Sequence, residues 1–143
     1  MEVTNVDKQV LQALSDLPQV ECPVEHLFGG GCYVRHTTMP AGTFAIGKRH
    51  KNEVINILLK GKISALVDDS DEVKEIAAPA VFLSAAGTRK AAYFHEDTVW
   101  LNVHPTELTS VEEVEQAVIV PDNNDVDLLG ARLQSKLRKL IGG

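Results

Sequence analysis

GTFAIGKRHKNEVINILLKG, residues Gly42 to Gly61, reads as two strands and the turn that joins them. Thr43 to Gly47 and Val54 to Leu59 have the β-branched and apolar content of strands. The turn carries one charged cluster, Lys48, Arg49, His50, Lys51 and Glu53. Val54 to Leu59 is apolar at nearly every position. That pattern predicts a strand covered on both faces, in a sandwich interior or at an oligomer contact.

Working outward, Cys32 to Thr38 alternates and is rich in β-branched and aromatic residues, so it reads as a strand. Pro40-Ala41-Gly42 is a turn, and Lys60-Gly61-Lys62 is a tight turn into a partner strand, Ile63 to Val67. Val73 to Ile76, Ala80 to Ser84, Lys90 to Phe94 and Thr98 to His104 are further short strands, separated by Gly and Pro breaks. Such spacing predicts an all-β sandwich or barrel. The acidic tip Asp68 to Glu72 reads as a solvated hairpin loop, because it lacks the glycine and the distant glutamate of a calcium loop. The run VECPVEHLFGGG, residues 20–31, reads as an arm and turn and not as a packed element.

The flanks are helical. Val6, Val10, Leu14 and Leu17 form one apolar stripe over residues 4–17, with Thr4 or Asn5 as cap and Pro18 as stop. Ser110 caps a second short helix, with Glu113 as its reciprocal partner. Val126, Leu129, Leu133, Leu137 and Leu140 recur at three and four in a third, with basic residues toward its C-terminus. Its apolar stripe needs a partner, either its own domain or a neighbouring subunit. The expected organisation is an N-terminal helix and arm over 1–31, a β-domain over 32–107 and a C-terminal helical segment over 108–143.

Composition narrows the function. A net charge of −6 over 143 residues, with no long basic run, argues against a nucleic-acid partner. No apolar run reaches membrane-span length and the start lacks an export signal, so no membrane partner and an intracellular location are expected. Cys22 and Cys32 are then expected as free thiols.

Gly42 to Gly61 and Ala85-Ala86-Gly87-Thr88-Arg89-Lys90 resemble the two signature segments of the cupin superfamily. The likeness covers roughly residues 32–104 and implies a double-stranded β-helix barrel, all-β, here with helices at both ends. The whole chain also resembles small cupin-like proteins encoded by tailed bacteriophages, through VECPVEHLF, the segment around His50 and EDTVWLNVHPTE. That resemblance implies a location in the host cytoplasm or the virion, with other phage proteins as further partners.

Cupins hold a metal with three His and one Glu. In that register the positions are Lys48, His50, Val54 and Lys90. Only His50 keeps a ligand, and two ammonium groups repel a dication by a few kcal/mol each at about 5 Å. No cofactor and no metal are therefore expected. If a divalent metal is bound, the rearranged set is His50, Glu53 and His104. The two lysines point either to solvent at the barrel mouth or to an anion.

Alternation puts Trp100, Asn102 and His104 on one strand face and Val99, Leu101 and Val103 on the other. With the polar face inward, Lys48, His50, Asn56, Lys90, Trp100, Asn102 and His104 line a ligand pocket. With the apolar face inward, Trp100, Asn102 and His104 are surface residues. The expectation is a barrel that binds a small anionic ligand without catalysis, and no catalytic residue is assigned. The second expectation is a virion structural or assembly protein, and the third a metal-dependent cupin enzyme or an epimerase. A homo-oligomer is expected through the C-terminal helix, 123–141, or through the barrel sheet.

Overall fold

The computed structural model describes residues 22–121 and 126–140. The expected helix over 4–17 lies outside the described residues. The strands are β1 (Val24–Gly29), β2 (Cys32–Met39), β3 (Phe44–Ile46), β4 (Val54–Lys60), β5 (Lys62–Val67), β6 (Lys74–Ala77), β7 (Ala80–Ser84), β8 (Lys90–Phe94) and β9 (Thr98–Pro105). Two helices follow, α1 (Val111–Val118) and α2 (Val126–Leu140). All strand pairs are antiparallel, in a five-stranded sheet of order β1-β2-β9-β4-β7 and a four-stranded sheet of order β3-β8-β5-β6.

The sheets meet around Met39 and Leu58 from the first and Ile63, Ala65, Ala92 and Phe94 from the second. Residues of alternate parity turn away from this core, as pleating requires. Gly61 makes the β4–β5 turn at φ +102°. A Cβ there would stand 2.8 Å from the Asp97 carbonyl, so only glycine fits without displacing backbone.

Several expectations change. The arm over 20–31 contains a strand: β1 pairs along its whole length with β2, through a turn at Gly30 and Gly31 with positive φ. It forms the sheet edge and buries little, so its sequence lacks a clean alternation. The acidic tip is not simply solvated. Arg49 reaches Asp68 at 2.6 Å, and Arg132 of α2 reaches Asp71 at 2.9 Å and the Ser70 carbonyl at 2.6 Å. Leu133 and Leu137 of α2 are buried with Leu66 and Ala91 on the outer face of the four-stranded sheet. Those two residues of the C-terminal stripe are thus covered by their own chain. Ser110 does cap α1, accepting from the Glu113 amide at 3.3 Å. Among the described residues, no helix is long and apolar enough to cross a membrane.

Candidate functional site

The inner face of the five-stranded sheet changes character along the strands. At one end Trp100 and Leu58 are register partners inside the apolar core. At the other, register aligns His26, Arg35, Asn102, Asn56 and Phe82 in one row, and Phe28, Tyr33 and His104 in the next. The polar face of β9 therefore looks inward. His104 is buried, and Asn56 is 1% exposed.

Asn56 is the hub. Its Oδ1 accepts from Trp100 Nε1 at 3.0 Å and from Asn102 Nδ2 at 2.7 Å. Its Nδ2 donates to Ser84 Oγ at 2.7 Å and to the Val54 carbonyl at 3.2 Å. An amide offers two donor hydrogens and two acceptor lone pairs, so every one is used within the protein. Asn56 thus positions its neighbours and is not free to contact a ligand. Trp100 is likewise committed, its ring lying against Phe82 at 5.8 Å and Phe94 at 6.4 Å between centroids.

Lys90 enters from β8 of the opposite sheet. Its ammonium donates to Ser84 Oγ and lies 5.7 Å from the Phe82 ring centroid. Burial lowers its pKa from 10.5 to about 8. Among the described residues, no carboxylate pairs with it.

His50 and His104 stand beside it, ring centroids 5.2 Å apart. Burial first, then His104, Lys90 and Arg35, push His50 down to about 4. Burial and Arg35 also lower His104. Both imidazoles are neutral at pH 7, each able to donate from one ring nitrogen. His104 stacks on Tyr33, whose hydroxyl lies 2.6 Å from His26 Nδ1. Burial raises the Tyr33 pKa, against Arg35. The segment after α1 closes this end: Ile119 bridges to His50, Lys51 donates its amide to the Val118 carbonyl at 2.7 Å, and Arg35 faces Glu115 at 4.0 Å.

The structure thus brings together His50, Asn56, Lys90, Trp100, Asn102 and His104. It does not bring Lys48 into the group in the same way. Lys48 is exposed in the loop after β3 and is not among the charges acting on His50. Ser84, Tyr33 and Arg35 belong to the site although the sequence did not point to them. Tyr33 and Arg35 alternate correctly within CYVRHTT, but only the pairing of β2 with distant β9 puts them opposite His104 and Asn102.

Solved structures of similar fold include proteins named as cupins. A cupin 2 domain-containing protein from Halorhodospira halophila aligns at TM-score 0.56 and 13% identity over 82% of this chain and 81% of that one. The cupin domain of Cnp3 from Schizosaccharomyces pombe aligns at 0.51 and 19% identity, over 76% and 80%. DMSP lyase DddQ from Ruegeria pomeroyi aligns at 0.52 and 16% identity, over 63% of this chain and 49% of that protein. At these identities the likeness is one of fold. No protein-family model matches the chain, and no curated protein matches it in sequence.

The metal associated with cupin signatures does not fit the residues present. Val54, at the carboxylate position, is an aliphatic side chain 1% exposed, and Lys90 brings an ammonium to a ligand position. Glu53, the alternative carboxylate beside His50 and His104, is exposed. Among the described residues, no three His, Cys, Asp or Glu side chains gather where they could hold a metal ion.

Proposed function

We propose that this chain binds a small anionic molecule, a carboxylate or phosphate ester, at Lys90 and does not transform it. The observation that carries this reading is the half-buried Lys90 ammonium, paired with a hydroxyl and an aromatic face but with no carboxylate among the described residues. A desolvated cation without a counter-ion is costly, and an anion relieves that cost. His50 and His104 supply neutral N–H donors, and Asn102 has its amide oriented by Asn56. Arg35 lies on the same face, its charge shared with Glu115 at 4.0 Å.

The pKa of His50 argues against that imidazole as a general base. A general base works best with a pKa near the working pH. His50, near 4, is a weak base at neutral pH. The solved structures of similar fold include a lyase, so fold alone does not choose between binding and turnover.

An anion at Lys90 raises the lysine pKa, so binding takes up a proton wherever Lys90 is partly neutral. Affinity is then constant below pH 8 and falls about tenfold per pH unit above it. The test is melting temperature against inorganic phosphate, citrate and malonate at pH 7, 8 and 9. A rise that saturates, weakens with pH and is lost in Lys90→Met is expected. No rise with any of the three, or an equal rise in Lys90→Met, would overturn the assignment.

A further inference from the structure

Lys90 is set apart from the surface lysines by what surrounds its nitrogen. Lys48, Lys51, Lys60 and Lys74 are exposed and Lys62 faces Glu75 at 3.9 Å, whereas Lys90 is half-buried. Its main chain is pinned on both sides. The Gly47 amide donates to its carbonyl at 2.9 Å, and it is the register partner of Val67 on β5. Its nitrogen lies 5.7 Å from the Phe82 ring centroid and bonds to Ser84 Oγ. That oxygen already accepts from Asn56 Nδ2 at 2.7 Å, which leaves it one lone pair and one hydrogen. The hydroxyl therefore serves a free amine as well as an ammonium, whereas a carboxylate partner would hold the proton on. No described carboxylate pairs with Lys90. A fixed amine with an aromatic face, a hydroxyl and no counter-ion is placed to act as a nucleophile.

We propose that Lys90 captures the carbonyl group of a small 2-oxo acid as a reversible imine. The proposal rests on the reading of Lys90 as an anion site and names the chemical class of that anion. The Nζ lone pair attacks the carbonyl carbon, and the carbonyl π pair moves to oxygen. Both amine hydrogens then leave with that oxygen as water, so no oxidant or reductant is needed. The imine takes one proton from solvent and becomes an iminium. The wall thus keeps its positive charge, and the carboxylate one bond from the iminium carbon balances it. A simple aldehyde brings no such charge. The neutral imidazoles of His50 and His104, 5.2 Å apart between centroids, offer N–H groups to the carboxylate. Burial lowers the lysine to about 8, so about a tenth of it is free amine at pH 7. Hydrolysis returns the acid unchanged, so capture of this kind is binding and not turnover.

The test is reductive trapping of the full chain with pyruvate and sodium cyanoborohydride at pH 7, read by intact mass and peptide mapping. Labelling at Lys90 is expected to exceed that at exposed Lys48 or Lys60 by about tenfold, because the free amine reacts and the ammonium does not. Lys90→Arg keeps a positive charge without a nucleophilic amine and is expected to lose the adduct, with far-ultraviolet circular dichroism checking its fold. Lactate, which carries a hydroxyl in place of the carbonyl, is expected to give none. Labelling at Lys90 no greater than at Lys48 and Lys60 would overturn the imine. If malonate still raises the wild-type melting temperature in that case, the anion site stands without it. No malonate rise and no adduct at Lys90 would overturn both.

Discussion

Replacing Lys90 by Met keeps the unbranched stem and removes the buried charge. In the folded chain Lys90 titrates near 8, about 2.5 pH units below an unburied lysine, and at 1.36 kcal/mol per unit its charged form opposes folding by about 3 kcal/mol. The side chain is partly exposed, so solvent screens some of this. The hydrogen bond to Ser84 is also lost, worth about 1 kcal/mol. Ser84 keeps Asn56 as a partner, so no buried hydroxyl is stranded. Lys90→Met is therefore expected to be more stable than the wild type by roughly 1–2 kcal/mol at pH 7, or about 5 °C in Tm.

The sign with pH is fixed by linkage. The unfolded chain holds the lysine proton up to about 10.5, whereas the folded chain releases it near 8. Wild-type stability thus rises as pH climbs from 8 to 10.5, and the advantage of the variant disappears over that window. Urea midpoints at pH 7, 9 and 10.5 measure this. A saturating anion at 100 times its Kd adds about 2.7 kcal/mol to the wild type alone and reverses the order. A variant less stable than wild type at pH 7, or an advantage unchanged between pH 7 and 10.5, would refute the reasoning, because the ammonium would then not be desolvated in the apo protein.

Two further outcomes are expected. Asn56→Leu removes the acceptor shared by Trp100 and Asn102 and leaves two half-buried donors without it; a loss of about 1–3 kcal/mol in urea unfolding is expected, with a red-shifted Trp100 emission. Leu133→Ala opens a cavity against Leu66 and Ala91 and is expected to cost about 2–5 kcal/mol, with the mass of the assembly unchanged by sedimentation.

The parts of the fold legible in the sequence are those set by local chemistry. Gly42, Gly61 and Gly87 occupy positive φ where turns were expected, and Ser110 caps its helix. β1 was not legible, because an edge strand that buries little needs no apolar alternation and is held by main-chain pairing with β2. Lys48 was placed by the register of the resemblance; β3 ends at Ile46 and leaves Lys48 exposed in the loop that follows. Asn56, Trp100 and Asn102 of the polar hub were legible as inward residues, but their hydrogen-bond pairing was not. Asn56 finds Ser84 at 28 residues' separation, Trp100 at 44 and Asn102 at 46, and nothing local announces those pairings. The apolar run of β4 showed that both its faces want cover, but not that the described chain covers only one.

Charge balance links these features. A carboxylate in a metal-holding wall offsets part of the ion's charge and the imidazoles supply neutral donors. Here an aliphatic Val54 stands at the carboxylate position, and the imidazoles of His50 and His104 are kept neutral by burial. The positive charge in this wall is Lys90. A wall of that sign repels a dication and attracts an anion, and neutral N–H groups complement anion oxygens where a metal would need lone pairs. The same inversion explains why the Asn56 network is worth keeping in a core. By using all its donors and acceptors internally, it fixes Ser84 under the ammonium and Asn102 beside it, so that the proposed anion would meet a rigid cradle, with the cost of ordering met during folding rather than on binding.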